Sequence, residues 1–531
     1  MNDVEKFEVV IVGAGAAGLA AAAYLCRYGH RVLLCERSGS IGGLVTSFKH
    51  NDFVFDGGIR AFENSGIIKP MLKQLEICMD FVKNPVSIRI EDDTIQIKST
   101  SSLHDYKDLL CRTFPNNRKE IERIVDEIKT VMGYMDVFYG IDNPMFMEAM
   151  PKDREYLLKT LLPWLLKYQK NINKAAALSQ PINEYLEKFT DNRSLIDMIT
   201  QHFFKNTPAF FALSYFGQYS DYFNPLGGTG VMADKLCDYI SSNGGIILKH
   251  TGITDVDTAR QEVKSDDGRV FGYKKLIWAC DTGQLCNALH PNDYAKSKKA
   301  AAWRELVRKN HGGDSVFSVF IGVDMDSSCF LGHCAPHCFY TPDKLGLRTA
   351  NDKNESPDTD IDRIVRFLKY TTYEISCPVL RDSSLAPKGK TGLIVSTVMD
   401  YNIVSKISSA GKYEEFKRIC VDTIIDLIDR RLMPGLRDKV IFSICSTPLT
   451  IKEIAGSAEG AIAGWAFSGE RLPSETRFKR ISKSILTPFD NIYQAGQWAF
   501  SPSGVPTCFL TGKLAADEIR KRLIKECSQK R

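Results

Sequence analysis

The chain has no apolar run long enough to span a bilayer, no block of like charges, no internal repeat and no low-complexity tract. The first absence excludes a transmembrane helix. The second leaves a mild net charge of +5 over 531 residues, too little and too dispersed to call for a nucleic-acid partner. The basic tail from Arg520 to Arg531 reads as a solvated helix end. Cysteine is present, but its 15 residues are odd in number and irregularly spaced. That excludes a secreted disulfide scaffold and points to free thiols in a reducing compartment. Cys329, His333, Cys334, His337 and Cys338 stand close together, yet their spacing matches no common metal template and a second half is missing. No metal site is expected. The start, Met1-Asn2-Asp3-Val4-Glu5, lacks a basic n-region, so no signal peptide is predicted. The expected location is cytoplasmic, with peripheral membrane association left open.

What is present begins at once. Glu8 to Val12 is an apolar run of strand length, and Gly13-Ala14-Gly15-Ala16-Ala17-Gly18 follows it directly. An Ala/Leu-rich helical stretch continues to about Tyr28, and a second strand, Arg31 to Cys35, ends at Glu36. Each piece has a task in holding a dinucleotide. Gly13 permits the tight turn, Gly15 lets backbone approach a pyrophosphate, and Gly18 lets helix and strand pack closely. The phosphates would lie at a helix N-terminus, where free N–H groups and the dipole favour negative charge. Glu36 would accept hydrogen bonds from ribose hydroxyls and repel a 2′-phosphate.

The glycine signature runs on past the acid. Arg37, Gly42-Gly43-Leu44 and Phe55-Asp56-Gly57-Gly58-Ile59-Arg60 extend it further than NAD requires. FAD is longer than one βαβ unit can cover, and its flavin half needs further places where backbone lies against the ligand. This favours FAD over NAD. Only one complete fingerprint exists, so no separate NAD(P)H domain is expected.

Two later segments carry marks of the missing strands of the same domain. Asn224-Pro225-Leu226-Gly227-Gly228-Thr229-Gly230 leads into a helix, then Gly244-Gly245 into a strand, Ile246 to Leu248, with Lys275 to Cys280 as a further buried strand. Asn491 to Gly496 followed by Ser501 to Thr507 and a helix through Ala515-Ala516 is again a ligand-edge geometry. The predicted fold is α/β: a split Rossmann-like FAD-binding domain with an inserted α+β substrate domain. The FAD-binding domain is assigned to residues 1–66, 224–300 and 485–531. The substrate domain is assigned to 67–223, largely helical after strand-like Val86 to Ile97, and to 301–484, mixed strand and helix.

With these separated segments, the chain resembles the FAD-dependent phytoene desaturase, carotenoid isomerase and retinol saturase family, within the flavin amine oxidase superfamily. The resemblance covers nearly the whole length. It rests on the glycine fingerprint with Glu36 and Gly42-Gly43, on Pro225-Leu226-Gly227-Gly228, and on the Gly244-Gly245 strand. It rests most specifically on Cys377-Pro378 through Asp382-Ser383-Ser384-Leu385-Ala386-Pro387-Lys388-Gly389. The closing segment, Tyr493 to Ala516, is similar to the family's last flavin motif. Three positions depart from the family pattern: Gln497 after Gly496, where an acid is common; Arg60, where Thr or His is common; and Glu459, where an aromatic residue is common. The resemblance implies a cofactor-lining set of Gly13, Gly15, Ala16, Ala17, Gly18, Glu36, Arg37, Gly42, Gly43, Leu44, Gly58, Ile59, Ile253, Ala279, Gly496, Gly504, Val505 and Pro506.

It also implies flavin chemistry on the C=C bonds of an apolar, polyene or prenyl-derived substrate, as desaturation, saturation or isomerisation. Amine oxidation is the alternative, and a non-catalytic prenyl-binding escort protein a more distant one. Electrons would pass to or from the substrate, a quinone, oxygen or a small carrier. Arg60 and Glu459 are the candidate catalytic residues: a guanidinium that either stabilises anionic flavin or binds a substrate oxygen, or else forms a structural ion pair, and a carboxyl that carries a proton unless it is, as is commoner for Glu, a solvated loop side chain. The aromatics Phe203, Phe204, Phe210, Phe211, Tyr215, Phe216, Tyr219, Tyr222 and Phe223 suit either a long apolar channel or plain core. Tyr156 to Tyr168 is amphipathic and accompanied by lysines, a composition that suits either an interfacial helix kinked at Pro163 or, as the preferred reading, a helix buried against the domain.

Overall fold

The computed structural model describes residues 4–139, 162–295, 297–353, 359–467, 471–477, 480–501 and 503–529. Val9 to Val12 have no polar side chain to keep in water, and strand Glu5–Val12 lies at the centre of a seven-stranded sheet. It pairs in parallel with Val32–Cys35 on one side and Val270–Trp278 on the other. Ile246–Leu248 extends the sheet beyond Val32–Cys35, while an antiparallel hairpin, Ile253–Asp257 and Glu262–Ser265, forms the other edge. Ile492–Gln494 pairs in parallel with the last residues of Val270–Trp278. That strand begins earlier than its apolar run because Val270 to Gly272 pair with the hairpin, a contact that local hydrophobicity does not encode.

Helix Ala16–Arg27 covers one face of this sheet and packs along the C-terminal helix Val505–Gln529. Close approach is obligatory there, because a Cβ on Gly512 would stand 2.2 Å from the Ala17 carbonyl oxygen. Helix Ile68–Gln74 lies beyond residue 66, yet it buries Ile68, Met71 and Leu72 in the same core. The domain edge drawn after residue 66 therefore cuts through a packed unit.

A second seven-stranded sheet has the order 440–446, 315–323, 391–399, 373–376, 337–341, 86–90, 93–97. It is antiparallel except where Val86–Ile90 runs parallel to His337–Thr341. Strands from the two inserted regions thus share one sheet. Helices Asp360–Tyr370 and Tyr413–Arg431 close one face around Phe317, Val319, Val395 and Phe416. On the other face Phe320 and Ile394 meet Phe53 and Phe55, from the hairpin that precedes Arg60. The helices Leu103–Thr113, Arg118–Tyr139, Arg193–Thr200 and Ala209–Gln218 build a third core beside strands 86–97. Most of the aromatic run lies there: Phe216, Tyr219 and Tyr222 are buried in this core and Phe203 and Tyr215 pack against it.

Gly512→Val places a branched side chain against the Ala17 carbonyl and should lower stability by about 1–3 kcal/mol through overpacking. A denaturant midpoint equal to wild type would contradict that packing argument.

Candidate cofactor and substrate site

Strands Glu5–Val12, Val32–Cys35, Val270–Trp278 and Ile492–Gln494 all end on the same side of the first sheet. Ligands of open parallel sheets bind at that carboxyl edge. The fingerprint glycines sit there for steric reasons. Gly13 has φ +96°, and its N–H donates to the Cys35 carbonyl at 2.8 Å. A Cβ on Gly18 would stand 1.9 Å from the Gly13 carbonyl oxygen, so the helix can start only with glycine there. Gly15 has open space where a Cβ would be, and it bridges to Gly42. The Gly42 N–H donates to the Ala14 carbonyl at 2.9 Å, which folds Gly42-Gly43-Leu44 over the turn. Ala16 and Ala17 form the first turn of the helix.

Glu36 reaches back across this turn, its carboxylate accepting from the N–H groups of Ala14 and Ser38, both at 2.8 Å. Arg37 instead donates to the Glu453 carbonyl at 2.7 Å and fastens the last turn of the 448–455 helix to this edge. Ile253 opens the hairpin strand, and the Ala279 N–H donates to the Val12 carbonyl at 2.8 Å. Gly496, with φ +91°, donates its N–H to Thr511 Oγ1 at 2.9 Å. Gly504, Val505 and Pro506 start the C-terminal helix; Pro502 lies outside the described residues. Two helix N-termini therefore belong to one crevice. The residues fit FAD: a backbone cradle for the pyrophosphate, an acid for the ribose, and a second helix end for the flavin half.

From Gly42-Gly43 the contacts lead on through Leu44. Its carbonyl accepts from the Ile59 N–H at 2.9 Å, and a Cβ on Gly58 would stand 2.0 Å from that oxygen. Arg60 follows, fully enclosed. Its Nη1 donates to the carbonyls of Asp56 and Gly58, and its Nη2 to Ser318 and Ser396 of the second sheet at 3.3 and 3.2 Å. Burial lowers its proton affinity, while Glu374 and Asp56 counter that. Beside it, Asp56 accepts from Arg381 at 2.6 Å and from the Thr229 N–H at 2.7 Å. Asp382 accepts from the Gly227 N–H at 2.8 Å, and its other oxygen caps the turn through Ser384. The Asp382 signature and the Pro225 to Gly228 motif thus clasp each other around the Asp56 loop.

Glu459 is not among the groups that contact Arg60. It has φ +54°, and its carboxylate lies 3.3 Å from the exposed imidazole of His311. Sequence reasoning passed over three groups that the fold brings to the site. Glu63 has a carboxyl oxygen 3.2 Å from where a Cβ on Gly504 would stand, next to a helix N-terminus. Burial, aided by the Asp221 charge, pushes its carboxyl up to about 7. The other two, Glu374 and His337, occupy neighbouring strands of the second sheet, with His337 Nε2 3.3 Å from Glu374 Oε1. Glu63 is only three residues past Arg60, so its loop was already marked. The other two could be found only from strand register.

The described part of the amphipathic segment is helix Leu162–Ala177, which exposes Leu162, Leu165 and Leu166 beside Lys167 and Lys170. Tyr156 to Leu161 lie outside the described residues.

A model of an NAD(P)-binding Rossmann-like domain matches residues 11–75. The chain is 22% identical to prolycopene isomerase 1, chloroplastic, of an Oncidium hybrid cultivar, across 98% of this chain and 84% of that one. It is 23% identical to all-trans-retinol 13,14-reductase of Danio rerio, across 95% and 85%. It is 22% identical to 4,4'-diapophytoene desaturase of Staphylococcus aureus, across 97% and 99%.

Along nearly its whole length the chain is thus similar to carotenoid isomerase, retinol reductase and diapophytoene desaturase sequences. Among solved structures, an oxidoreductase from Methanosarcina mazei aligns with TM-score 0.62 at 16% identity, over 96% of this chain and 100% of that one. A redesigned putrescine oxidase aligns with TM-score 0.60 at 13% identity, over 97% and 99%. These likenesses concern the fold. Arg60 joins the Asp56–Gly58 loop to the second sheet.

Because the folded protein holds the Glu63 proton more tightly than the ordinary value of 4.5, stability should fall as pH rises from about 4.5 through about 7. Glu63→Gln removes that dependence. Its melting temperature relative to wild type should therefore rise between pH 4.5 and 8, and a constant difference would show that Glu63 does not titrate there.

Proposed function

We propose that this protein is an FAD-dependent oxidoreductase acting on the C=C bonds of an apolar, polyene or prenyl-derived substrate. The observation that carries the reading is the continuity of a chain of contacts. The glycine turn with Glu36 leads through Leu44 and Gly58 to Arg60, and Arg60 rests on the second sheet while Ala61 packs against the aromatic-rich core of the 103–222 helices. In this reading the first sheet and its helices hold the cofactor, and the second sheet with the 103–222 helices holds the substrate.

When bound, FAD supplies hydride transfer at its isoalloxazine, the step that protein groups alone do not provide. The chain's own residues bind and orient. Glu36 accepts from ribose hydroxyls with the lone pairs that Ala14 and Ser38 leave free. The N-termini of helices 16–27 and 505–529 face negative charge. Arg60 holds its loop against Ser318 and Ser396 and sets positive charge at the junction, a positioning role. Glu63 offers a carboxyl that exchanges its proton near neutral pH. Glu459 keeps a proton-carrying role only if the exposed His311 pair opens toward substrate. Electrons enter or leave through the substrate, a quinone, oxygen or a small carrier. The exposed leucines and lysines of helix 162–177 suit contact with a membrane surface, from which an apolar substrate would come.

Anaerobic incubation of the flavin-loaded protein with a set of polyenes should bleach or perturb the flavin spectrum and yield a product changed at a C=C bond. Flavin reduction by primary amines, with no effect of any polyene, would favour amine oxidation instead. Glu36→Arg should purify with FAD at well under half of wild-type occupancy, because ribose acceptors are lost. Wild-type occupancy in that variant would remove Glu36 from the site. NADPH alone should not bleach the flavin with saturable kinetics at micromolar concentration; if it does, a nicotinamide site exists that the single fingerprint does not account for.

A further inference from the structure

Two stretches far apart in sequence hold more net positive charge than the whole chain does. Residues 298–311 and 470–490 carry ten basic and four acidic side chains, a net +6 against +5 for all 531 residues. The remainder is therefore slightly negative. The fold sets the described parts of the two stretches side by side. Asn310 Nδ2 donates to the Arg471 carbonyl at 3.4 Å, and Val307 and Leu472 share one small core with Trp465 and Trp498. Farther along, Trp303 meets Phe489 edge-on, with ring centroids 6.3 Å apart. Helix Lys298–Lys309 buries Ala300 and Val307 and half-buries Trp303, one face at helical spacing. Its other face exposes Lys298, Lys299, Arg308 and Lys309.

Most of this charge is uncompensated. Lys309 pairs with Glu305 and Arg477 with Glu475, but Lys298, Lys299, Arg308, Arg471, Arg480 and Lys483 are exposed and make no ion pair with the described residues. Such a surface raises the local potential and steers anionic partners toward it. Its place is as informative as its sign. The Glu475 N–H donates to the Ala499 carbonyl and the Ser501 N–H to the Glu475 carbonyl, both at 3.2 Å. Glu475 also bridges to Phe500, so the basic stretch runs one strand's width from the loop that follows Gly496. That glycine belongs to the last cofactor motif. Trp498 lies in the loop, and its carbonyl accepts from Trp465 Nε1 at 3.0 Å. Between loop and exposed cations is one packed layer of Trp498, Trp465 and Leu472. Among the described residues of both stretches, Leu486 is the one large apolar side chain left exposed. A membrane-surface helix needs an apolar face to insert, and this surface has none.

We propose that this surface docks a small acidic redox protein, which exchanges electrons with the cofactor across the Gly496 loop. The inference rests on the reading that FAD in the crevice acts on C=C bonds, and it names the electron partner which that reading leaves open. Saturating one C=C bond takes two electrons and two protons. Two reduced carriers give one electron each, and solvent gives the protons. Desaturation is the same balance reversed, with two oxidised carriers accepting. Two encounters per turnover require a carrier that arrives fast and leaves fast. Attraction between charged polar surfaces suits that, because it raises the association rate more than the final affinity. A quinone or oxygen is uncharged and gains nothing from six unpaired cations.

The test mixes the flavin-loaded protein, without oxygen, with two acidic one-electron carriers, a two-iron ferredoxin and a flavodoxin. Basic cytochrome c serves as the opposite-charge control. Binding of each oxidised probe is measured by calorimetry, and flavin reduction by the reduced probe is followed by stopped-flow absorbance. At least one acidic probe should bind, and its affinity and rate should each fall at least ~10-fold between about 20 and about 200 mM salt. Lys299→Glu with Arg308→Glu, and Arg480→Glu with Lys483→Glu, should each weaken binding by ~10-fold or more while FAD content and melting temperature stay at wild-type values. Lys119→Glu with Lys129→Glu, exposed on helix Arg118–Tyr139, should leave binding as it is. Four outcomes overturn the proposal: neither acidic probe binds, cytochrome c binds as tightly, the control reversal costs as much, or phosphatidylserine vesicles or duplex DNA bind more tightly than both probes. The two readings fail separately. Salt-sensitive docking and flavin reduction with no product changed at a C=C bond sinks the proposed reaction and leaves this surface standing. Polyene turnover that runs on a quinone, with neither acidic carrier bound, does the reverse.

Discussion

The buried pair of Asp56 and Arg381 joins every part of the site. The two side chains are 2% and 1% accessible and 2.6 Å apart. Asp56 ends the 47–56 hairpin, Arg381 belongs to the turn before Asp382, and the same carboxylate accepts from the Thr229 N–H after the Gly227-Gly228 motif. Breaking one partner of such a pair costs about 3–5 kcal/mol, chiefly because the other charge is left uncompensated. A well-packed apolar pair could be as stable, so the ions here do something packing would not. They fix the direction in which three loops meet. Arg60 inherits its place from that meeting, since its Nη1 is held by the Asp56 and Gly58 carbonyls.

From this constraint the division of labour follows. The first sheet presents backbone: glycines where a side chain would collide, and helix ends with free N–H groups. The second sheet presents side chains, graded from serines through Glu374 to Phe339 and Ile88. Backbone suits a cofactor whose phosphates and ribose are fixed. Side chains suit a substrate, because they can differ between relatives while the sheet stays the same. Arg60, held by loop carbonyls on one side and by Ser318 and Ser396 on the other, lies at the border of the two.

Local information was enough for some of this. Gly13, Gly15, Gly18 and Glu36 could be read from sequence because each contact spans a few residues or one βαβ unit. Strand Ile246–Leu248 and the helix after the glycine turn were marked by local pattern, and the structure has the strand at those bounds and the helix as Ala16–Arg27. What could not be read depends on distant pairing. Nothing near Glu374 announces that it faces Ser396 and Phe339, and nothing near Val86 announces a parallel partner at His337. The packing of helix Ile68–Gln74 into the first core is of the same kind, since an amphipathic helix does not say which core it serves. Arg60 was visible as an unusual residue, but its four donors' partners lie on two loop carbonyls and two serines more than 250 positions away.

The cofactor edge is built from strands and helices drawn from both extremes of the described chain, with residues 5–12 in the centre and 492–494 and 505–529 completing it. During synthesis the N-terminal strand and helix leave the ribosome long before the segment that covers them. Until then the small-residue face of helix 16–27, shaped for Gly512, has no partner, and strand 270–278 lacks its neighbour on one side. The nascent chain therefore carries an unfinished apolar core until residues 492–529 have emerged, and the dinucleotide edge is complete only then. Cofactor supply at that moment, more than affinity in the finished protein, would govern how much of the polypeptide escapes aggregation.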